Sequence, residues 1–212
     1  MPAPRSIAIG AAALLFGLAP RGARAAEPTA LELARRGLTE CEAGRRSSLR
    51  DERQAHFERG RAFGDEAVTL DGQSAEAHFA VFCNMGELMR LDGETLSSVF
   101  QLRRLNAEID RTLELNPEYT EAMAAKGILL IRLPRLLGGD AERGETLLRR
   151  VLQKDPNAVE SRLMLAKTCD SRGDRDEAVA FASRALQIAR EQGRADKVAE
   201  AQATLAELHP AR

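Results

Sequence analysis

Between residues 96 and 113 the chain places apolar side chains at Leu96, Val99, Leu102, Leu105, Ile109 and Leu113, the three-to-four spacing of one face of an α-helix. The rhythm stops at Asn116-Pro117, resumes, and stops again at Asp155-Pro156, where Pro156 lies 39 residues after Pro117. A proline disfavours helical conformation in the residue before it and has no N–H to donate, so each break ends a helix. Leu70-Asp71-Gly72 occupies the equivalent upstream position with glycine in place of proline. Downstream, Gly173-Asp174 reads as a turn with Asp174 as N-cap, and Ala178, Ala182 and Ala185 then form one small-residue stripe that a neighbouring helix can approach closely. The pattern predicts an all-α chain of helix-turn-helix units.

Two connections depart from this rhythm. Asp92-Gly93-Glu94 ends one helix and precedes an unusually long one. Leu133 to Asp140 replaces a short turn: Pro134 stops a helix, Gly138-Gly139 permits a positive φ, and Asp140 can accept from the first N–H groups of the next helix. Without phosphate-cradling glycine spacing or a following lysine, this loop reads as a rigid connection.

On these residues the chain resembles the tetratricopeptide repeat family, whose helix-turn-helix units of about 34 residues stack into a solenoid. The last unit carries the family's packing positions on Leu165, Ala166, Cys169, Ala178, Ala182 and Ala185, and the one before it on Gly127, Leu130, Gly144, Leu148, Val151 and Pro156. Val81, Phe82, Met85, Leu105, Ile109, Thr112 and Pro117 fit a longer unit, and a degenerate one ends at Gly60, Gly64, Ala67 and Gly72. The resemblance implies a tetratricopeptide-like solenoid of about four units over residues 40–190. Residues 26–39 then form a lead-in, and 191–212 a C-terminal capping helix and tail, with Arg194 to Leu208 shielding the last unit. The Leu133 to Asp140 motif is similar to the T-component of tripartite ATP-independent periplasmic transporters, which implies a helical scaffold docking a periplasmic solute-binding protein.

The N-terminus points the same way. Met1 to Arg5 is short and basic, Ile7 to Ala19 is apolar but too short to span a bilayer, and Ala23 and Ala25 stand in the A-x-A arrangement of a signal-peptidase site. Residues 1–25 therefore read as a secretory signal cleaved after Ala25. Export to the periplasm is expected, without a lipid anchor because no cysteine follows the apolar run closely, and without a transmembrane anchor.

Composition narrows the function. With 31 basic and 32 acidic residues the formal charge is -1, which gives no electrostatic excess for gathering nucleic-acid phosphates. Cys41, Cys83 and Cys169 are odd in number and widely spaced, unlike a disulfide framework. Different heights along neighbouring helices are expected to keep Cys41 and Cys83 apart, leaving three free thiols with Cys41 the most reactive. His56, His78 and His209 are scattered and read as helix-surface residues, so no metal site and no cofactor is expected. Neither a Gly-x-Ser-x-Gly motif nor a nucleotide-binding glycine pattern is present, and the acidic residues alternate with arginine and lysine as on solvated helix faces.

These readings converge on a non-catalytic, exported scaffold that binds a protein or peptide in a groove, with self-association possible. An envelope-assembly scaffold is the alternative, and a hydrolase ranks below both. Repeat register places Phe79, Cys83 and Glu87 on the groove in the second unit, Ile128, Ile131 and Arg132 in the third, and Leu163, Lys167 and Asp170 in the fourth. An apolar patch edged by Arg132, Lys167 and Glu87 suits an amphipathic segment.

Overall fold

Thr29 opens the first helix with a capping box: its side chain accepts from the Glu32 N–H while the Glu32 carboxylate accepts from the Thr29 N–H at 2.8 Å. The computed structural model describes residues 27–93 and 98–208, and among them it contains nine α-helices and no strand. They are α1 (Ala30–Arg46), α2 (Arg50–Leu70), α3 (Ala75–Leu91), α4 (Ser98–Leu115), α5 (Thr120–Arg132), α6 (Ala141–Lys154), α7 (Val159–Arg172), α8 (Arg175–Glu191) and α9 (Ala195–Leu208). No described helix is long and apolar enough to cross a membrane. The expected signal, residues 1–25, lies outside the described residues.

The helices stack in chain order as four antiparallel pairs, α1–α2, α3–α4, α5–α6 and α7–α8, with α9 packed on α7 and α8. This is a tetratricopeptide-type solenoid with a C-terminal capping helix. Residues 30–39, expected within a lead-in, form the first turns of α1, where Leu33 and Ala34 are buried against Ala67 of α2 and Ala77 of α3. At the other end Ala201 joins a core with Leu163 and Ile188, and Leu208 joins one with Cys169 and Ala182.

Several expected signals are realised. Helices end at Leu70, Leu115 and Lys154, just before the Gly72, Pro117 and Pro156 breaks. Ala178, Ala182 and Ala185 are all fully buried. In the α5–α6 connection Arg135–Leu137 form a 3-10 turn, Gly138 takes a φ of 89°, and the Asp140 side chain accepts from Arg143 N–H at 3.0 Å. Asp174 departs from expectation: it stands at the N-cap position of α8, but its carboxylate accepts from Arg172 at 3.2 Å instead of capping the helix. His78 also departs, being buried, with Nδ1 2.6 Å from the Glu108 carboxylate on α4 and Nε2 3.2 Å from the Gly72 carbonyl.

The larger correction concerns the cysteines. Cys41 of α1 and Cys83 of α3 form a disulfide, with Cα atoms 6.3 Å apart. The expected offset in height fails because α1 packs directly on α3 as well as on α2. Small residues permit that approach: a Cβ added at Gly37 of α1 would lie 3.1 Å from the Ala80 Cβ of α3, and one added at Gly60 of α2 would lie 2.2 Å from Asn84 Oδ1, so only glycine leaves room for this amide. The Asn84 Nδ2 in turn donates to the Gly37 and Ala80 carbonyls, each at 2.9 Å. Cys169 alone remains a free thiol, buried, and burial together with the neighbouring Glu177 carboxylate pushes its pKa up to about 11.

Candidate partner-binding face

The first helices of the four pairs, α1, α3, α5 and α7, supply the side chains expected to line a groove. On α3, Phe79 is part of the core: it stacks on Phe82 with centroids 6.0 Å apart, tilts against Tyr119 at 4.9 Å, and clusters with Ile109 and Ala122. Cys83 is spent on the disulfide. Glu87 is 2% exposed, and its carboxylate accepts from Arg45 of α1 at 2.6 Å and from Arg90 of α3. The stripe that remains accessible on α3 is therefore offset from the expected one and runs through Phe82, Gly86 and Arg90.

On α5, Ile128 and Ile131 are half-buried against Leu148, Met164 and Leu165, while Arg132 is exposed. On α7, Leu163 is buried beneath α8 and α9 with Ile188 and Ala201, so it is core and not groove. Lys167 and Asp170 are exposed, and Lys167 donates to Glu200 of α9 at 3.3 Å. The nine expected positions thus split. Phe79, Cys83 and Leu163 hold helices together, Glu87 anchors two arginines, and Ile128, Ile131, Arg132, Lys167 and Asp170 keep surface to offer.

An apolar floor emerges that register alone does not place. Leu38 of α1, Phe82 of α3, and Ala125 and Leu129 of α5 are each half-buried and pack on the Phe79–Ile109–Ala122 core. They cross three consecutive first helices. The signal that locates them is spacing: Leu38 precedes Arg45 by seven residues, Phe82 precedes Arg90 by eight and Ala125 precedes Arg132 by seven, so each apolar residue shares a helix face with an arginine two turns on. Partial desolvation lowers the pKa of Arg90, although more than half of its side chain stays exposed, and Arg45, Arg132 and Arg53 act in the same direction against the pull of Glu87. Positive charge is therefore concentrated at this end of the face.

Residues 135–205, about a third of the chain, match the family model described as tetratricopeptide repeat. No curated protein matches the chain. Among solved structures it is similar to a thermophilic tetratricopeptide repeat protein of Thermus thermophilus, at 19% identity and a TM-score of 0.55 over 84% of this chain and 99% of that one. It is also similar to MamA, at 16% identity and a TM-score of 0.52 over 78% of this chain and 81% of that one. A MamA from Desulfovibrio magneticus RS-1, residue 41 to its end, gives 15% identity and a TM-score of 0.50 over 80% of this chain and 93% of that one. At these identities the likeness is one of fold.

Proposed function

We propose that this chain is a non-catalytic scaffold that holds a segment of a partner protein across the first helices of its repeats. One observation carries the reading: Leu38, Phe82, Ala125 and Leu129 leave apolar surface half-open along three successive helices, beside a row of arginines. Apolar area covered on binding supplies affinity and the charges fix the direction of the segment. The scaffold works in the periplasm. Supporting this are the signal-like residues 1–25 and the Cys41–Cys83 disulfide, a linkage that persists in oxidising compartments.

The partner proposed is the solute-binding component of a periplasmic transporter. The Leu133–Asp140 motif supports that choice. Its loop is pinned by hydrogen bonds from Gly139 N–H to the Pro134 carbonyl at 3.0 Å and from Asp140 N–H to the Leu130 carbonyl at 2.9 Å, and it presents Leu136 almost fully to solvent. A rigidly held, exposed leucine forms a contact at little entropic cost.

The test uses the mature chain and the soluble solute-binding protein encoded beside it, with affinity measured in solution. Phe82→Asp with Leu129→Asp should weaken binding at least tenfold while helicity and the disulfide are retained. Undiminished affinity in that folded variant rejects the first-helix face. A gene neighbourhood holding an outer-membrane or cell-wall machine, with no solute-binding protein, rejects the transporter assignment and makes a component of that machine the partner to measure.

A further inference from the structure

Successive helices run antiparallel, so the connections within pairs come to one edge of the array and those between pairs to the other. Arg50, in the first turn of α2, ties the first edge together by donating to the Leu91 carbonyl at the end of α3 at 2.7 Å. Four large apolar side chains stand exposed along it: Leu49 at 58%, Phe100 in the first turn of α4 at 80%, and Leu136 and Leu137 of the α5–α6 loop at 98% and 44%. A lone exposed leucine is ordinary, but an adjacent pair at the tip of a rigid loop is a surface for something else. The N–H groups of Leu137 and Gly138 donate to the Pro134 and Arg135 carbonyls at 2.9 and 3.0 Å. A Cβ added at Gly139 would lie 1.7 Å from the Leu133 carbonyl oxygen, so only glycine lets the chain fold back there with Leu136 at its tip. Around that tip Arg132, Arg135 and Arg143 are exposed and make no ion pair among the described residues. Of the two carboxylates in the same stretch, Asp140 and Glu142, the first is spent on capping α6. The opposite edge also exposes Leu31 and Leu70, but they neighbour Glu32 and Asp71 in the chain.

We propose that the α5–α6 loop is a peripheral membrane contact: Leu136 and Leu137 enter the interface of an anionic bilayer, Arg132, Arg135 and Arg143 take lipid phosphates, and Leu49 and Phe100 meet the same surface further along the edge. This goes beyond the proposed partner and does not rest on the first-helix face. Guanidinium forks donate to phosphate oxygens in paired hydrogen bonds, and leucine beside them supplies the apolar part of interfacial binding. No described helix is long and apolar enough to cross the bilayer, so the contact lies on the surface. A bilayer is favoured over a pocket in another protein because the tips are spread out. Leu49 and Leu136 belong to pairs two apart in the stack, roughly 20 Å at 8–10 Å per packed helix, which a flat surface spans and a single pocket does not. Charge sets the orientation. With a formal charge of -1 the whole chain has no general attraction to anionic lipid, so it binds only where arginines outnumber carboxylates locally, as they do around Leu136.

The chain contains no tryptophan, so a single introduced one reports its own surroundings. The test takes the chain from Ala26 onward, which removes the apolar run of residues 7–19, and adds it to vesicles of phosphatidylglycerol and phosphatidylcholine with and without brominated acyl chains. Emission of Leu136→Trp should shift to shorter wavelength and be quenched by the brominated lipid, and that of Leu31→Trp on the opposite edge should not. In sedimentation with the same vesicles, binding should weaken with salt and on phosphatidylcholine alone. Arg132→Gln with Arg135→Gln should weaken it more than tenfold, at about fivefold for each arginine. Leu136→Ser with Leu137→Ser should weaken it tenfold or more, and Leu31→Ser with Leu70→Ser should leave it unchanged; all are surface positions, and helicity checks the fold. Absence of vesicle binding, equal quenching of the two tryptophans, or equal losses from the two edges overturns the membrane contact. Vesicle binding that survives Leu136→Ser with Leu137→Ser, while solution affinity for the solute-binding protein is lost, assigns the loop to that partner and overturns it as well.

Discussion

At its N-terminal end the array is held by glycines, an amide and a disulfide, whereas at its C-terminal end alanines and aliphatic side chains do the same work. In α1 to α3, Gly60 makes room for Asn84, Asn84 donates to two backbone carbonyls, and Cys41–Cys83 ties the first helix of one pair to that of the next. In α7 to α9, Ala178, Ala182, Ala185 and Ala189 bring the helices together over Val159, Leu163, Ile188 and Leu208. Both ends solve one problem, close approach of three helices, but with different chemistry. The family match covers only residues 135–205, the end where the solution is an alternation of small and large apolar positions.

The comparison is broken most strongly by removing the disulfide. With 42 residues separating the two cysteines, its loss in a Cys41→Ala, Cys83→Ala variant should cost about 4 kcal/mol if the linkage acts by constraining the unfolded chain. Hydrogen exchange should accelerate in α1 to α3 and stay unchanged in α7 to α9, because a solenoid's units couple mainly to their neighbours. Uniform acceleration would show that the two ends fold as one unit.

Overpacking should come next. Gly60→Ala forces a methyl group against the Asn84 amide and should cost about 1–3 kcal/mol in a denaturant titration, and Ala182→Val at the opposite end should cost a similar amount. A neutral Gly60→Ala would mean that Asn84 swings aside freely. Asp140→Ala, which removes the cap of α6, should cost about 1 kcal/mol.

The smallest effect is electrostatic and confined to the capping helix. Burial opposes ionisation of Glu160, but the Arg194 hydrogen bond at 2.7 Å and the charges of Arg194 and Lys197 outweigh it and hold its carboxyl below the usual range. Burial likewise opposes ionisation of Glu200, and Lys197 and Lys167 outweigh it. A carboxyl whose folded pKa lies below its unfolded one stabilises fully above the unfolded value, and the contribution disappears as pH falls through the folded value. Acidification from neutrality to below the ordinary carboxylate range should therefore loosen α9 from α7, detected as faster exchange in residues 195–208. An α9 that tightens on acidification would contradict the sign.

These contrasts explain what was legible in the sequence. The alanine stripe, the Asp140 cap, the positive-φ Gly138 and the capping helix follow from local rules, because each side chain does in the fold what its type does in any helix or turn. The Cys41–Cys83 pairing does not, since it depends on how far α1 slides along α3, and that is set jointly by Gly37, Gly60 and Asn84 from three helices. The face failed in part for a related reason. The accessible stripe on α3 is offset from Cys83 and Glu87 because the disulfide and the Arg45 ion pair turn those residues inward. Leu163 belongs to the core because α9 covers it.

Hydrogen exchange of the chain alone and saturated with its partner tests the central claim most directly. Binding across the first helices predicts slowed exchange in α3 and α5, centred on Phe82 to Arg90 and Ala125 to Arg132, with α4, α6 and α8 unchanged. Protection confined to α4, α6 and α8, with none on α3 or α5, would contradict it and place the partner on the opposite face of the array.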